Sequence, residues 1–190
     1  MTRMRGPIVP QRRHTFIDSP VDTLTLVATD GLLSGVFMVD QRHRPPTEVF
    51  GERDPAPFAA VIDQLKAYFV GERTTFDLPL APVGTSFQRM VWTALRRIPY
   101  GETVSYGQIA KRIGRPGASR AVGLANGANP IGVIVPCHRV VASDGSLTGY
   151  GGGLERKRFL LGLEKRRAAD TSGGPPTKRD PSAQAGSVTG

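Results

Sequence analysis

The sequence contains one cysteine, three histidines and no long apolar run. A single cysteine cannot form an intramolecular disulfide, and His14, His43 and His138 are too far apart to resemble a zinc motif. No apolar run reaches the roughly 18 residues that a membrane helix requires, and the N-terminus lacks a secretory signal. These absences predict a cytoplasmic protein that contains no disulfide and no bound metal.

The net charge of +9 is distributed unevenly over the 190 residues. Residues 14–84 carry five basic and ten acidic side chains, whereas residues 85–165 carry twelve basic and four acidic ones. A basic half joined to an acidic half favours a polyanionic partner such as nucleic acid for residues 85–165, although a solvated surface explains the excess equally well.

Composition and turn signals divide the chain into two folded units between two tails. We predict a basic, disordered N-terminal extension over residues 1–13 and a disordered tail over 166–190, since neither has much apolar surface to bury. Residues 14–84 are predicted to form an N-terminal α/β domain. Residues 85–165 are predicted to form a second domain, which is mostly helical.

The N-terminal unit shows the alternation of an antiparallel β-meander, followed by one amphipathic helix. A strand is also predicted before the linker to the second unit. The predicted strands are 14–18, 24–28, 32–39 and 75–80, the helix is 58–69, and residues 41–55 are predicted to be a loop.

In the second unit, a helix that begins at Thr85 or Ser86 precedes two short helices, 105–113 and 117–127. Ser105 and Gln108 match a capping box, and a short turn with glycine between two such helices indicates a helix-turn-helix. A buried strand over 131–135 and a final helix over 154–165 complete the unit. The final helix is predicted to bury Leu154, Phe159 and Leu161.

Cys137 follows the predicted buried strand and precedes His138 within the run PCHRV. A lone cysteine is often a small buried hydrophobe, but a thiol beside a base can become a nucleophile. Because successive side chains on a strand point to opposite faces, the pair can cooperate only if the chain turns after Pro136. Glu164 is a candidate to orient the imidazole, and Asn129 can brace the loop by hydrogen bonds to the backbone.

These groups alone permit a hydrolase, an acyl transferase or an alkyl transferase. The second predicted helix of the helix-turn-helix carries Arg120 among small residues, which would let its backbone approach a surface closely. Taken in isolation, Arg120 is more simply read as a solvated arginine.

Together these residues resemble the 6-O-alkylguanine-DNA alkyltransferases, also called methylated-DNA–protein-cysteine methyltransferases. The likeness is dense from about residue 84 to 165 and looser from 14 to 83. It implies a ribonuclease H-like α/β domain followed by a mostly helical domain with a winged-helix-like helix-turn-helix. The motifs that carry it are PCHRV at 136–140, RAVG at 120–123, NP at 129–130, YGE at 100–102, SY at 105–106, YGGG at 150–153, and Lys157 with Glu164.

The resemblance implies a role for each catalytic candidate. Cys137 would accept the alkyl group from oxygen 6 of guanine, and His138, held by Glu164, would take the thiol proton through a water. Tyr106 would give a proton to the departing guanine, and Asn129 would fix the loop that holds Cys137. Nothing could reverse the resulting thioether, so the protein would act once and need no cofactor.

The same resemblance implies how the protein meets its substrate, double-stranded DNA with an alkylated guanine. The base would be flipped out through the minor groove, and Arg120 would fill the gap that it leaves. The protein would be a monomer that can cluster on DNA, with no membrane or obligate protein partner. Val140, Tyr150 and Gly151 would line the base pocket, and Gln88, Arg115, Ala118 and Ser143 would contact the DNA.

The sequence departs from some relatives in two respects. Gly151 stands where some of them have a serine, and the zinc ligands of certain N-terminal domains are missing. Two alternatives stay open, a non-catalytic DNA-damage sensor and a cysteine hydrolase. Sensors of this family lack the cysteine, and a hydrolase would turn over an ester or amide without DNA.

Overall fold

A computed structural model describes residues 10–172. Disorder is predicted for residues 1–13 and 166–190, and its parts over 1–9 and 173–190 lie outside the described residues. The described parts differ from the prediction, because Arg12 and Arg13 pair with Thr29 and Ala28 in a strand and the last helix continues to Ser172. Among residues 10–172, no helix is both long and apolar enough to cross a membrane.

The N-terminal half is built on a four-stranded sheet. As predicted, β1 (Arg12–Ile17), β2 (Leu24–Thr29) and β3 (Leu32–Met38) form an antiparallel meander. β4 (Glu52–Arg53) pairs in parallel with β1, so that the strand order is β3-β2-β1-β4. Residues 41–55 are not only the loop that their prolines and glycine predict, because they contain β4 and a 3-10 turn over Thr47–Phe50.

One helix, α1 (Ala59–Phe69), covers one face of this sheet as the apolar periodicity predicts. The strand predicted over residues 75–80 does not form, and only Leu80 makes an isolated bridge, to Leu33. The Gln64 side chain takes the place of a partner strand, since its amide bonds both the N–H and the carbonyl of Asp77 at 2.9 Å. Pro79 also lacks the N–H that a strand would use.

The second half contains α2 (Ser86–Leu95), α3 (Tyr106–Arg112) and α4 (Ser119–Gly127), with a short parallel pair of β5 (Val104–Ser105) and β6 (Val140–Val141). Capping boxes start α2 at Thr85 and α3 at Ser105. The predicted helix-turn-helix is therefore present as α3 and α4, although α4 begins at Ser119 rather than at Gly117.

The apolar run 131–135 is buried, but it is not the strand that its composition predicts. Ile131 makes a single bridge to Val36, after which the chain turns, with Val133 at a φ of 67°. Hydrogen bonds from Val36 N–H to the Pro130 carbonyl (2.8 Å) and from Gly132 N–H to the Val36 carbonyl (3.0 Å) hold the run against β3. It thus joins the two halves of the chain in one continuous core.

The last helix, α5 (Leu154–Ser172), extends beyond the predicted end at residue 165. The predicted buried face is wrong, because Leu154 and Phe159 are 38% and 36% exposed and Leu161 is half-buried. The buried positions instead have helical spacing and include two charged residues: Lys157, Leu160, Leu163 and Glu164. Periodicity misses this face because it counts only apolar side chains.

Candidate active site

Cys137 begins a 3-10 turn, Cys137–Arg139, directly after Pro136. This turn is the departure from extended geometry that cooperation between Cys137 and His138 requires. Cys137 is 6% exposed, and its Sγ accepts a hydrogen bond from Asn129 Nδ2 at 3.1 Å.

Asn129 and Asn126 brace the chain around the cysteine. Asn129 Nδ2 also donates to the carbonyl of Val135 at 2.9 Å, and its Oδ1 accepts from the N–H of Ile131 at 3.1 Å. Asn126 Nδ2 donates to the Cys137 carbonyl at 3.3 Å. One buried amide therefore both closes the loop and touches the sulfur.

The thiol has opposing influences on its ionisation. Burial raises the pKa of Cys137, while the Asn129 hydrogen bond and the positive charge of Lys157 act to lower it. Lys157 is fully buried and donates through Nζ to the carbonyls of Val140 (2.6 Å) and Thr148 (2.8 Å). Burial lowers the pKa of Lys157 to about 8. Because burial dominates at Cys137, the resting thiol keeps its proton until a base removes it.

His138 and Glu164 form the pair that the sequence predicts. His138 Nε2 lies 2.8 Å from Glu164 Oε1, and both side chains are fully buried. With Nε2–H donating to the carboxylate, Nδ1 is the unprotonated nitrogen, and it has no partner among the described residues. Burial lowers the pKa of His138, so the ring is neutral near pH 7 and Nδ1 can accept a proton.

Glu164 accepts hydrogen bonds from several parts of the chain. Oε1 accepts from Tyr68 Oη at 2.7 Å and from Arg139 Nη2 at 3.0 Å, and Oε2 accepts from Arg139 Nε at 2.8 Å and from Gly101 N–H at 3.1 Å. Burial alone would raise the carboxyl pKa, but the bonds and charges of His138 and Arg139 outweigh it and lower this pKa to about 2. Glu164 is therefore an anion over the whole physiological range.

Sequence reasoning did not assign Lys157, Arg139 or Tyr68 to the site. Lys157 and Arg139 both stand within motifs that carry the resemblance, and that position was the available signal. Tyr68 carries no such signal, because its spacing on α1 is that of an ordinary core residue.

A small cavity of about 10 Å³, the space of one water molecule, lies against Cys137. Of the three residues predicted to line the base pocket, Tyr150 and Gly151 line this cavity and Val140 does not. The Val140 side chain belongs to the core, and its carbonyl accepts from Lys157. The cavity is lined by Gln41, Asn126, Gly127, Asn129, Gly132, Cys137, Tyr150, Gly151 and Gly152.

Tyr106, the first residue of α3, lies against Gly149, which directly precedes the cavity-lining segment Tyr150–Gly152. Its ring is next to Gly123 of α4, where an added Cβ would be 3.8 Å from ring carbons. Its Oη donates to the Thr148 carbonyl at 3.1 Å. Burial raises the pKa of Tyr106, so the phenol retains a proton that it can donate.

The predicted DNA contacts fall in three places. Arg115, Ala118 and Arg120 lie together in the turn and first residues of α4, where both arginines are exposed. Gln88 stands apart in the α2 capping box, where its Oε1 accepts from the Thr85 N–H at 2.8 Å. Ser143 is exposed in the turn after β6. Within residues 10–172, no His, Cys, Asp and Glu side chains cluster in the number that a metal site needs.

Comparison with known proteins places both halves of the chain. The family model of the 6-O-methylguanine DNA methyltransferase ribonuclease-like domain matches residues 13–82, and that of the DNA binding domain of the same family matches residues 86–166. A methylated-DNA–protein-cysteine methyltransferase of Mycolicibacterium paratuberculosis is 56% identical over 155 residues, which are 82% of this chain and 93% of the relative. One from Methanosarcina acetivorans is 49% identical over 152 residues, 80% of this chain and 97% of the relative.

A solved structure agrees with these matches. The crystal structure of Mycobacterium tuberculosis OGT in complex with DNA superposes with a TM-score of 0.79 at 55% identity, and covers 82% of this chain and 94% of its own. The predicted fold and family are confirmed: the chain belongs to the 6-O-methylguanine DNA methyltransferase family.

Proposed function

We propose that the protein repairs alkylated DNA by moving the alkyl group from oxygen 6 of guanine irreversibly to Sγ of Cys137. One observation carries this proposal. The only cysteine of the chain lines a small cavity with Asn129 and precedes an imidazole that Glu164 holds, with its Nδ1 unpartnered among residues 10–172. This arrangement can activate a thiol without a cofactor.

The transfer is a direct displacement at carbon. His138 Nδ1 accepts the thiol proton through a water, and the carboxylate of Glu164 stabilises the imidazolium that forms. The sulfur then attacks the alkyl carbon, a C–S bond forms, and the C–O bond breaks with its electron pair moving to the guanine. Tyr106 supplies the proton that lets guanine leave as a neutral base. The product is a thioether, so each molecule reacts once.

A guanine needs far more space than the cavity of about 10 Å³ beside Cys137. The segment Tyr150–Gly152 must therefore move away when the base enters. This segment is held by a hydrogen bond from the Arg42 N–H to the Gly151 carbonyl at 2.8 Å, and Gly152 packs against Met38. Opening requires loss of these few contacts with the N-terminal half.

The substrate atom lies inside the duplex stack, so the nucleotide must be flipped out before reaction. We propose that α4 enters the minor groove, where its small residues permit close approach and the exposed Arg120 fills the gap in the stack. Arg115, Ala118, Gln88 and Ser143 are the proposed supporting contacts. The DNA complex of the M. tuberculosis relative and the basic charge of residues 85–165 support this interface.

We propose a cytoplasmic monomer that needs no cofactor or protein partner and can cluster on DNA.

A duplex with one labelled O6-methylguanine tests the proposal. Incubation with excess DNA should leave one label per protein molecule, and Cys137→Ala should bind the same DNA without taking up label. Continued release of product would instead favour a hydrolase. Tight binding of methylated DNA by the unaltered protein without transfer would favour a sensor.

A further inference from the structure

A phenol from the N-terminal half reaches the buried carboxylate of the active site. Tyr68, near the end of α1, donates through Oη to Glu164 Oε1 at 2.7 Å, and both side chains are fully buried. The same oxygen accepts the Nε2–H of His138 at 2.8 Å. Tyr68 and His138 thus share one acceptor atom across the junction of the two halves.

We infer that Tyr68 is a positioning residue for the alkyl transfer, an inference that rests on the proposed function. By donating to Glu164 Oε1, it orients the carboxylate that binds His138. The same bond weakens the stabilisation that this oxygen gives to the protonated imidazole of His138. The ribonuclease-like half of the chain thereby contributes a side chain to the hydrogen-bond network that holds His138.

Packing alone does not account for the hydroxyl of Tyr68. The ring lies among Phe69, Phe76 and Tyr100 with centroids 5.3, 5.4 and 6.0 Å away, and a phenylalanine would fill the same space. Tyr100, in edge contact with Tyr68, has a buried Oη without a partner among the described residues. Of these two neighbouring phenols, Tyr68 bonds Glu164 through its hydroxyl and Tyr100 does not.

The charged and titratable groups around Glu164 set the direction of the effect. Arg139 binds both carboxylate oxygens, Lys157 acts on His138 through its charge, and Tyr100 lies within electrostatic range. All of these stay in place when the Tyr68 hydroxyl is removed. Oε1 then has two donors instead of three, so its charge stabilises the His138 imidazolium more strongly. His138 should consequently hold its proton up to a higher pH.

Tyr68→Phe in the full chain tests whether the Tyr68 hydroxyl acts on His138. Tyr100→Phe is the matched control, because it also removes one phenol oxygen beside the site. We expect the pKa of His138, followed by NMR of its labelled imidazole, to rise by about half a unit or more in Tyr68→Phe and to stay unchanged in Tyr100→Phe. Because a protonated His138 cannot act as base, the acid limb of the rate–pH profile for methyl transfer should shift equally. Half a unit corresponds to an about threefold slower transfer on that limb.

The two readouts separate this inference from the proposed function. The imidazole titration needs no DNA, so an unaltered protein that takes up no methyl group refutes the proposed function alone. An unchanged His138 pKa in folded Tyr68→Phe, or an equal shift in Tyr100→Phe, overturns the role of Tyr68. If circular dichroism shows that Tyr68→Phe is unfolded, NMR of the unaltered protein tests the contact between Tyr68 and the His138 site instead. A Tyr68 hydroxyl proton with an NMR cross-peak to His138 Nε2–H supports the shared bond, and its absence overturns it.

Discussion

Glu164→Gln should both destabilise the protein and slow the transfer. The amide keeps one acceptor oxygen and turns an NH₂ group towards the donors that surround Glu164. The buried Arg139 therefore loses its anionic partner, and its hydrogen bond to the Ile98 carbonyl, at 2.6 Å, remains. Breaking a buried ion pair by removing one member costs about 3–5 kcal/mol. Lowering the carboxyl pKa from 4.5 to about 2 corresponds to a similar stabilisation, about 3 kcal/mol. For a chain of this size, the expected fall in Tm is roughly 6–20 °C.

Urea unfolding and a single-turnover methyl-transfer assay measure the two effects. Glu155→Gln is the control, because Glu155 is an exposed residue of the same helix whose partner is Arg158. The control should change the free energy of unfolding by no more than about 0.5 kcal/mol. Because the His138 imidazolium loses its anionic partner, transfer by Glu164→Gln should be roughly 100-fold slower or more. A destabilisation below about 1 kcal/mol would refute the view that Glu164 neutralises a buried charge.

Four further changes have defined outcomes. Asn129→Ala removes the hydrogen bond that lowers the pKa of Cys137, so alkylation by iodoacetamide should shift to higher pH; an unchanged profile would refute this contact. Arg120→Ala should weaken DNA binding in a titration but leave iodoacetamide alkylation unchanged, and equal DNA affinity would remove Arg120 from the interface. Ser105→Ala breaks a capping box and should cost about 1 kcal/mol in urea unfolding, whereas no loss would mean that the cap is redundant. The folded-state pKa of Glu164 lies below its unfolded value, so its stabilisation is complete above about pH 4.5 and is lost as the pH falls towards about 2. Urea unfolding should show this acid-dependent loss in the unaltered protein but not in Glu164→Gln.

Local signals explain most of what the sequence predicts correctly. The β-meander follows from alternation and from the Asp30-Gly31 turn, where both residues have positive φ. α3 begins where Ser105 and Gln108 match a capping box. His138 and Glu164 are 26 positions apart, and periodicity does not predict their contact; the residues alone make Glu164 a candidate, and the family resemblance implies the pair.

The errors arise where tertiary contacts override local preference. The apolar run 131–135 turns against β3 and is buried there without forming a strand. A buried segment of this kind has the same apolar composition as a buried strand, so the sequence does not distinguish the two. On α5, Lys157 and Glu164 face the core because each has strong partners there, which a count of apolar residues cannot foresee. Tyr68 is likewise indistinguishable from a packing residue until its hydroxyl is seen beside Glu164.

Intact-mass measurement tests the role of Cys137 most directly. The full chain would be weighed before and after incubation with duplex DNA that contains one O6-methylguanine, and the altered peptide would then be identified. We expect every reacted molecule to gain one methyl group on the peptide that contains Cys137, and Cys137→Ala to gain none. Loss of the methyl group from DNA without a gain in protein mass, or a methyl group on another residue, would contradict Cys137 as the acceptor.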